Sequence, residues 1–337
     1  MRAKRSNGPV IDIHCHRECD PVKSMMNAEQ ERVGRGHALQ YGSDLTREVN
    51  RKQMEFIRPK MESLETRLED MDRMGVDIQA VAVSPYQYYY WAEPGIGARA
   101  ARMINDELAE ATSAYPARFA PLATVPLQDT EATIAEMRHA ANDLGFGGME
   151  IAAHVEGEEV SSDRLQPVWA EAERLGMLVM IHTAGVRYDR LLEHNFVNIL
   201  GHAFDSTLAI AHLIWNGVIE RHPELKIVVA HGGGYLPAYS ARMDHGWGAR
   251  ADVAEGVPNP PTTYLEKFHF DTMVFQPDQL EYLVQRYGAD HVMLGTDYPY
   301  DMGEDDPLGL IHRAESLTQD QIDLIAGGNA ARLLGIR

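Results

Sequence analysis

The feature that most constrains the fold is a regular alternation of short apolar runs and helix-like segments. Eight apolar runs have the length of buried strands. They cover residues 11–16, 78–85, 119–127, 147–155, 177–185, 226–234, 268–275 and 292–300. The helix-like segments between them include 63–75, 97–116, 130–145 and 162–176. This alternation predicts an α/β fold, a (β/α)8 TIM barrel, with a doubly wound open sheet as the alternative.

The length of the chain agrees with one large barrel. It has 337 residues, of which 45% are hydrophobic, and barrels with insertions commonly exceed about 250 residues. Residues 17–62 break the alternation and are predicted to be one long insertion after the first strand. Because no repeat or linker-like tract divides the sequence, we expect a single domain over residues 1–337.

Charge and cysteine content exclude several classes of partner. The formal net charge of −19 argues against nucleic acid and anionic membrane surfaces, which need clustered Lys and Arg. The sequence contains no run of about 18 apolar residues, so no membrane span is predicted. The basic N-terminus lacks the apolar stretch of a signal peptide, and Cys15 and Cys19 are too few for a disulfide framework. We therefore expect a reduced, cytoplasmic protein that acts on small molecules or proteins.

Metal-ligand residues stand at the carboxyl ends of predicted strands, where TIM-barrel enzymes build their active sites. His14 and His16 end the first run, and their imidazoles point the same way because alternate strand residues share a face. His182 ends the fifth run and Asp297 ends the eighth. Three imidazoles and one carboxylate predict one divalent metal ion, with Zn²⁺ expected and Mn²⁺, Fe²⁺ or Co²⁺ as alternatives.

A further histidine, His231, ends the sixth run and precedes three glycines at 232–234. Glycines leave room for a substrate, so His231 is predicted to be a general acid/base that exchanges protons near a metal-activated water. The fourth run ends in Ala152, Ala153 and His154, and no Lys or Glu stands there to bridge two metals. His154 is either a contact of the site or an ordinary loop histidine.

Several motifs together resemble the amidohydrolase superfamily, specifically its branch of aminocarboxymuconate semialdehyde decarboxylase and related enzymes. They are HCH (14–16), IHTAG (181–185), AHGGG (230–234), LGTDYPY (294–300) and the C-terminal GNAARLLGI (328–336). The resemblance runs from residue 10 to the end of the last motif. It implies a metal-dependent TIM-barrel enzyme with the same four ligands and His231 as acid/base.

The resemblance also implies two arginines that clamp substrate carboxylates. One is lent by the neighbouring subunit and falls on Arg242, which implies a homodimer. The other belongs to the insertion, where Arg58 is the candidate and Arg47 and Arg51 are rivals.

Two segments bear on the substrate. The branch has Pro-Trp-Asp after its fifth-strand histidine, whereas here Thr183, Ala184 and Gly185 follow. The side chains in this part of the predicted pocket wall are therefore smaller, and they leave more space for a substrate. An aromatic run from Tyr86 to Trp91 follows the second strand. It either stacks on a planar substrate, with Trp91 as the named contact, or packs a loop over the barrel rim.

Two reactions fit these residues. The expected one is nonoxidative decarboxylation of an aromatic or muconate-like acid, in which His231 or metal-bound water protonates the carbon that carries the carboxylate. The alternative is hydrolysis of a C–C or C–N bond by metal-bound hydroxide, with His231 and Asp297 handling protons. A non-catalytic metal-binding barrel is disfavoured, because structural zinc sites are closed by four strong ligands and need no flanking glycines.

Overall fold

The computed structural model of the protein describes residues 6–34, 43–183 and 188–336. Eight parallel strands form the barrel wall, and a short antiparallel hairpin, β5 with β6, lies outside it. The strands are β1 (Ile11–Arg17), β2 (Ile78–Val83), β3 (Leu122–Ala123), β4 (Gly148–Ala152), β5 (His154–Val155), β6 (Glu158–Glu159), β7 (Leu178–His182), β8 (Lys226–Val229), β9 (His269–Asp271) and β10 (Val292–Met293).

Helices follow most of the strands and surround the barrel. The α-helices are α1 (Asp20–Arg32), α2 (Asp44–Glu62), α3 (Leu64–Met74), α4 (Pro94–Thr112), α5 (Thr130–Asn142), α6 (Gln166–Leu175), α7 (Ala203–Trp215), α8 (Val218–Arg221), α9 (Ala241–Ala249), α10 (Ala251–Ala254), α11 (Pro261–Leu265), α12 (Pro277–Tyr287), α13 (Pro307–Arg313), α14 (Gln319–Asp323) and α15 (Asn329–Leu334). Two π-helical turns, Val197–His202 and Leu324–Gly328, precede α7 and α15.

The order of the strands closes a ring. Six strands pair in the order β10-β9-β8-β7-β4-β3, and β1 pairs with β2 in a second parallel ladder. Isolated parallel bridges join the two ladders at both seams, Cys15 to Tyr298 and Gln79 to Phe119. At the first seam the amide of His16 also donates to the carbonyl of Tyr298 at 2.7 Å. The predicted TIM barrel is confirmed.

Alternating side chains divide the core into two layers. Ile13, Met180 and Val228 belong to a cluster inside the barrel. Their sequence neighbours, such as Val179 and Val229, belong to the larger cluster between barrel and helices. Helix α15 adds two leucines to the inner cluster and so covers one end of the barrel. The opposite end, where the strands finish, is left for polar side chains.

Several strands are shorter than the sequence predicts. β3 has two of the predicted residues 119–127, a segment in which Pro121 and Pro126 lack the amide donor that a ladder needs. β8 ends at Val229 and β10 at Met293, so His231 and Asp297 lie beyond their strands instead of ending them. Both residues have positive φ angles, 57° and 55°, a backbone conformation that no strand accepts. The predicted runs 226–234 and 292–300 are therefore too long.

The segment predicted to be an insertion contains two helices, α1 and α2. Arg17 belongs to β1, so the inserted part begins after the predicted boundary of residue 17. Ser43 and Ser63 cap α2 and α3 by accepting from the amides of Thr46 and Thr66 at 3.2 and 3.1 Å. Residues 35–42 lie outside the described part. The single domain over the whole chain stays a prediction.

One helix of the described part, residues 197–215, is long and apolar enough by composition to cross a membrane. Of its most apolar stretch, 39% is buried inside the protein. Its Asp205 and Ser206 are buried, and Trp215 donates to the carbonyl of Val253 at 2.9 Å. A core helix of a soluble protein meets the same criteria, so the expected absence of a membrane partner stays a prediction.

Candidate active site

The four residues predicted to bind metal meet at the carboxyl rim of the barrel. His14 and His16 lie on β1, His182 ends β7, and Asp297 follows β10. One ligand atom from each lies within 4.8 Å of all the others. His14 Nε2 is 3.2 Å from His16 Nε2 and 3.4 Å from Asp297 Oδ1, and all four residues are buried. The fold therefore brings to one point the four residues that were predicted from the sequence as metal ligands.

The polar atoms of this cluster fit a cation. His182 Nδ1 donates to the carbonyl of Thr183 at 3.0 Å, which leaves the lone pair of Nε2 for another partner. His182 Nε2 and Asp297 Oδ1 are buried and have no hydrogen-bond partner in the described part of the chain. A buried polar atom without a partner costs about 1–3 kcal/mol. One divalent metal ion among these atoms removes that cost at both.

Burial and mutual proximity set the charges of the ligands. Burial, with the neighbouring His16 and His14, lowers the pKa of His182 well below its ordinary value, so its imidazole is neutral. Burial also disfavours protonation of His14, but Asp297 and Asp271 outweigh it and raise the pKa of His14. Burial opposes ionisation of Asp297, yet the surrounding imidazoles hold its pKa well below the usual range. Asp297 is therefore an anionic ligand.

A buried carboxylate on β1, Asp12, fastens two ligand-bearing segments together. Its Oδ1 accepts from the amides of His14 and Thr296, both at 3.1 Å, and its Oδ2 accepts from Thr296 Oγ1 at 2.6 Å. The pairing of β1 with β2 shifts register between Asp12 and Cys15, which is a β-bulge next to the first ligand. Burial raises the pKa of Asp12 to about 6. Sequence reasoning missed this residue, although a carboxylate inside an apolar run was the available signal.

His231 lies in a tight turn directly after β8. It has a φ of 57°, and Gly232 and Gly234 follow with 61° and 70°. A Cβ at position 232 would stand 2.5 Å from Val274 Cγ1, and one at 234 would stand 2.0 Å from the carbonyl of Ala203. The glycines are therefore required by the turn itself, in addition to any room that they leave for substrate.

This turn brings His231 to the predicted metal ligands. Its Nε2 is 3.7 Å from Asp297 Oδ2, and its ring centroid is 5.2 Å from those of both His14 and His182. Its Nδ1 is buried with no hydrogen-bond partner among the described residues. The predicted acid/base thus lies beside the ligand cluster, and its role in turnover stays a prediction.

A carboxylate that the sequence reading missed, Asp271, ends β9 beneath these groups. Its Oδ2 is 2.6 Å from His14 Nδ1 and accepts from the amide of His231 at 3.0 Å. Its Oδ1 accepts from the amides of Gly232 at 2.7 Å and Met273 at 3.1 Å. Burial opposes its ionisation, but His14 first, and then His231 and the amide of Gly232, hold the pKa of Asp271 below its usual value. Asp271 lies inside the seventh predicted run, 268–275, and a carboxylate within an apolar run was the available signal.

A third missed carboxylate, Glu150, lies within β4. Its Oε1 is 3.8 Å from His16 Nδ1 and accepts from the hydroxyl of Tyr88 at 2.6 Å. Burial raises the pKa of Glu150. The Tyr88 and Tyr90 rings stack with centroids 5.6 Å apart, and both are buried. This part of the aromatic run therefore packs behind the ligands. Trp91 is partly buried against Tyr89, and its contact with substrate stays a prediction.

Two further rings face the cluster. His202, at the end of a π-helical turn, has its ring centroid 5.6 Å from that of His231 and 6.4 Å from that of His182. Burial lowers the pKa of His202 to about 3, so the ring is neutral. The ring of Tyr300 lies 5.5 Å from that of His16. No local sequence pattern indicates a π-helix, and His202 was not predicted.

The predicted arginines lie on exposed helix surfaces. Arg58 is exposed on α2 and Arg242 on α9. Arg51 pairs with Glu55 at 2.7 Å within α2, and Arg47 is exposed near the start of that helix. Their roles stay predictions.

The remaining predicted positions near the rim have mixed outcomes. His154 starts the β5 hairpin, where its Nδ1 accepts from the amide of Gly157 at 3.1 Å. Of the segment after His182, Thr183 is buried, and Ala184 and Gly185 lie outside the described residues.

Comparison with known proteins gives the same family as the motifs. The profile of the family described as amidohydrolase matches residues 11–336. The 2-amino-3-carboxymuconate-6-semialdehyde decarboxylase of Dictyostelium discoideum is 36% identical over 275 residues, which are 81% of this chain and 76% of the relative.

Solved structures agree over nearly the whole chain. The 5-carboxyvanillate decarboxylase of Sphingomonas paucimobilis is 25% identical, with a TM-score of 0.84 over 98% of this chain and 99% of that one. A 5-carboxyvanillate decarboxylase of Novosphingobium aromaticivorans, solved with manganese and 4-hydroxy-3-methoxy-5-nitrobenzoic acid, has a TM-score of 0.85 at 23% identity and covers 100% of both chains.

These findings confirm three predictions from the sequence: the family, a divalent metal as cofactor, and a metal-dependent nonoxidative decarboxylase. The chain belongs to the amidohydrolase family and is an enzyme of its decarboxylase branch.

Proposed function

We propose that this enzyme removes a carboxylate, as CO₂, from an aromatic or muconate-like acid, with His231 as the proton donor. The observation that carries the proposal is the placement of His231 Nε2 3.7 Å from Asp297 Oδ2, beside three imidazoles that converge on one point. The named relatives act on acids of both kinds, a carboxymuconate semialdehyde and carboxyvanillate.

The reaction exchanges a carboxylate for a hydrogen on one carbon. The carbon–carboxylate bond breaks, CO₂ leaves, and the electron pair of that bond stays on the carbon and takes up a proton. When bound, the divalent metal supplies a Lewis acid that holds substrate oxygens and stabilises negative charge. His231 delivers the proton and is reprotonated from solvent after release. The ionised Asp297 faces Nε2 of His231, with Oδ2 at 3.7 Å.

The resident metal is proposed to be Zn²⁺, with Mn²⁺ as the first alternative. Three nitrogen ligands and one carboxylate suit zinc, which takes four-coordinate sites with His and Asp ligands. The Novosphingobium relative holds manganese. Metal analysis of the protein as purified, followed by reloading of the apoprotein with each ion and assay at equal occupancy, distinguishes the two.

The test of the reaction is a substrate panel. The metal-loaded protein is incubated with aromatic and muconate carboxylates while CO₂ and carbonyl fragments are followed together. Release of CO₂ in equal amount to the decarboxylated product supports the proposal. Release of a carbonyl fragment without CO₂ would instead support the hydrolase alternative, which uses the same ligands. His231→Ala, with its metal content checked, is the matched control for background decarboxylation.

We further propose that the enzyme works as a homodimer in which Arg242 reaches the partner's substrate. Arg242 is exposed on α9, and Tyr239, in the bend just before this helix, is 69% exposed. Tyr235 is also exposed, and its hydroxyl donates to the carbonyl of Leu200, another exposed apolar residue. Exposed apolar patches of this kind mark association surfaces. An arginine fork suits a carboxylate because it forms paired, charge-assisted hydrogen bonds.

Mixing two inactive variants tests the dimer. In a two-fold dimer of one Arg242→Ala chain and one His231→Ala chain, one site carries both lesions and the other carries neither. Activity should therefore return on mixing. Subunit exchange is shown independently by labelled chains. Exchange without recovery would exclude action of Arg242 across an interface.

The substrate is proposed to be a small carboxylic acid. Arg58 remains the proposed second clamp, with Arg47 and Arg51 as rivals, and Trp91 the proposed stacking contact. The cytoplasmic location and the absence of nucleic-acid and membrane partners also remain predictions.

A further inference from the structure

One buried carboxylate, Asp271, contacts both functional halves of the site. Through Oδ2 it contacts the imidazole of His14, at 2.6 Å, and the backbone amide of His231, at 3.0 Å. Through Oδ1 it accepts from the amide of Gly232 at 2.7 Å. The residue is fully buried, so no solvent competes for these contacts. A metal ligand and the proposed acid/base are thus tied to one side chain.

The contact with His14 fixes which nitrogen faces the metal position. A histidine that binds a metal is neutral, and in a neutral His14 the proton that Nδ1 donates to Asp271 leaves the lone pair on Nε2, which points at His16 Nε2 and Asp297. A carboxylate in this position raises the basicity of a ligand imidazole and fixes the orientation of its ring. The close approach needs space, because a Cβ at Gly295 would stand 3.0 Å from the Cβ atoms of both His14 and Asp271.

The contact with the turn opposes backbone strain. His231 is not a glycine, yet it has a φ of 57°, a conformation that costs on the order of 1–3 kcal/mol and persists only where surroundings enforce it. Two successive amides of this turn, those of His231 and Gly232, donate to the two oxygens of Asp271. The carboxylate therefore holds the turn in the shape that directs His231 Nε2 toward Asp297.

We propose that Asp271 is a positioning residue that couples metal affinity to proton delivery, by orienting His14 through Nδ1 and the His231 turn through its amides. The part that concerns proton delivery rests on the proposed function. The part that concerns metal affinity does not.

Asp297 also faces both His14 and His231, but it is itself a predicted metal ligand. The buried carboxylates outside the ligand set, Asp12 and Glu150, lack the double contact of Asp271. Asp12 contacts the amide of His14 and the Thr296 segment, but its hydrogen bonds do not include either imidazole. Glu150 stands 3.8 Å from His16 Nδ1, beyond hydrogen-bond distance. Asp271 is thus the carboxylate whose loss changes two properties at once.

Asp271→Asn tests the proposal because it keeps the size of the side chain and leaves one acceptor oxygen in place of two. We expect the metal dissociation constant, measured by chelator competition, to rise about 10- to 100-fold. At saturating metal, kcat should still fall on the order of 10²-fold, since a misplaced catalytic group loses about that much. Glu136→Gln is the matched control, since Glu136 is also buried and accepts from Asn105 and Arg102 at 2.8 and 2.9 Å. It should change neither quantity.

A second background separates the two roles. In a His231→Gln protein, Asp271→Asn should weaken metal binding as before but lower kcat no further, because the group that it positions is already gone. A purely structural residue would lower thermal stability in both backgrounds and leave the dissociation constant of the folded fraction unchanged. An unchanged dissociation constant, or a full further loss of kcat in the His231→Gln background, would overturn the proposal.

The wild-type protein supplies a test that needs no folded variant at position 271. With zinc bound, the proton on His14 Nδ1 should give a strongly downfield, slowly exchanging imidazole resonance in ¹H NMR. His231→Gln should leave that resonance in place. Its absence would overturn the orientation of His14 by Asp271. If no substrate is found, the chelator competition and this resonance still decide the metal half, and the failure belongs to the proposed function alone.

Discussion

The three-residue strand β9 has a histidine-rich environment at each end, and the two ends behave differently. At its start, His269 stacks on His291 with centroids 4.8 Å apart and planes at 18°. At its finish, Asp271 supports the rim, where the His14, His16 and His182 rings are 4.8 to 5.1 Å apart at 74° to 86°. Ring separation is therefore the same at both ends.

The difference lies in where the ring nitrogens point. At the start of β9, His269 Nδ1 donates to the carbonyl of Ile227 at 3.2 Å, and His291 Nδ1 donates to that of Phe268 at 2.9 Å. Their planes are nearly parallel, and the remaining nitrogen of His291 lies 3.9 Å from Asp290 Oδ2. At the rim the planes are steeply inclined, and three Nε2 atoms converge with Asp297. A cluster of histidines is a metal site only when its free nitrogens share a target.

The largest expected effect is the loss of two ligands from the rim. His14→Ala combined with His16→Ala should abolish metal binding and lower kcat/KM by about 10³-fold or more, since a metal contributes several kcal/mol to catalysis. Metal analysis and the CO₂ assay measure the two effects, and circular dichroism checks the fold. Full metal occupancy in a folded variant would show that the convergence of nitrogens does not define the site.

The next effect separates a ligand from an acid/base within the rim. His231→Ala should retain the metal and lose about 10²- to 10⁴-fold in kcat, the usual contribution of a positioned proton donor. Metal content and kcat are measured on the same preparation. If the variant loses its metal, His231 is a ligand, and if turnover stays near normal, it has no part in the chemistry.

A pH effect is expected at the other end of β9. Burial lowers the pKa of His269 from 6.5 to about 4. The nearby His291 and Arg332 lower this pKa further, while Asp290 acts in the opposite direction. Between pH 6.5 and about 4, His269 is protonated in the unfolded chain but stays neutral in the folded protein. The free energy of unfolding should therefore fall as the pH drops from about 6.5 to 4, by at most about 3 kcal/mol from this group.

Denaturant unfolding of the wild type and of His269→Gln across that range measures the contribution of this group. The pH dependence that the rim histidines add is common to both proteins, so the difference isolates His269. Parallel curves would show that His269 does not titrate as its burial requires.

The smallest effect is expected for His291. His291→Ala removes one hydrogen bond, to the carbonyl of Phe268, and should cost about 1 kcal/mol of unfolding free energy. Metal content and kcat/KM should equal those of the wild type. A change in metal content would contradict the assignment of this pair as purely structural.

The local parts of the fold and site could be predicted from the sequence. The helices near 63–75 and 130–145 end within a few residues of their predicted limits, because capping residues and periodicity are local signals. The four ligands could be predicted because residue types and the order of the strands can be read directly from the sequence. A barrel then brings the strand ends together whatever their separation along the chain.

What the sequence could not indicate depends on contacts between distant segments. His14 and Asp271 are 257 residues apart, and no periodicity in either segment reports their 2.6 Å contact. The π-helical turn that carries His202 to the rim is likewise set by packing and not by a pattern. The β3 strand is two residues long because pairing partners, not apolar composition, decide where a ladder stops.

The sequence by itself determined the kinds of ligand, their order along the chain and the alternation that closes a barrel, because each follows from residue chemistry and local period. Only the tertiary structure decided how the catalytic side chains are directed. His231 and Asp297 stand beyond their strands at positive φ, and they are held there by partners from other strands: Asp271 for the first, and the carbonyl of His14, 2.8 Å from the amide, for the second. A strained backbone conformation persists only when surrounding groups enforce it. Here those groups come from segments far away in the sequence, so local sequence patterns cannot predict the conformation.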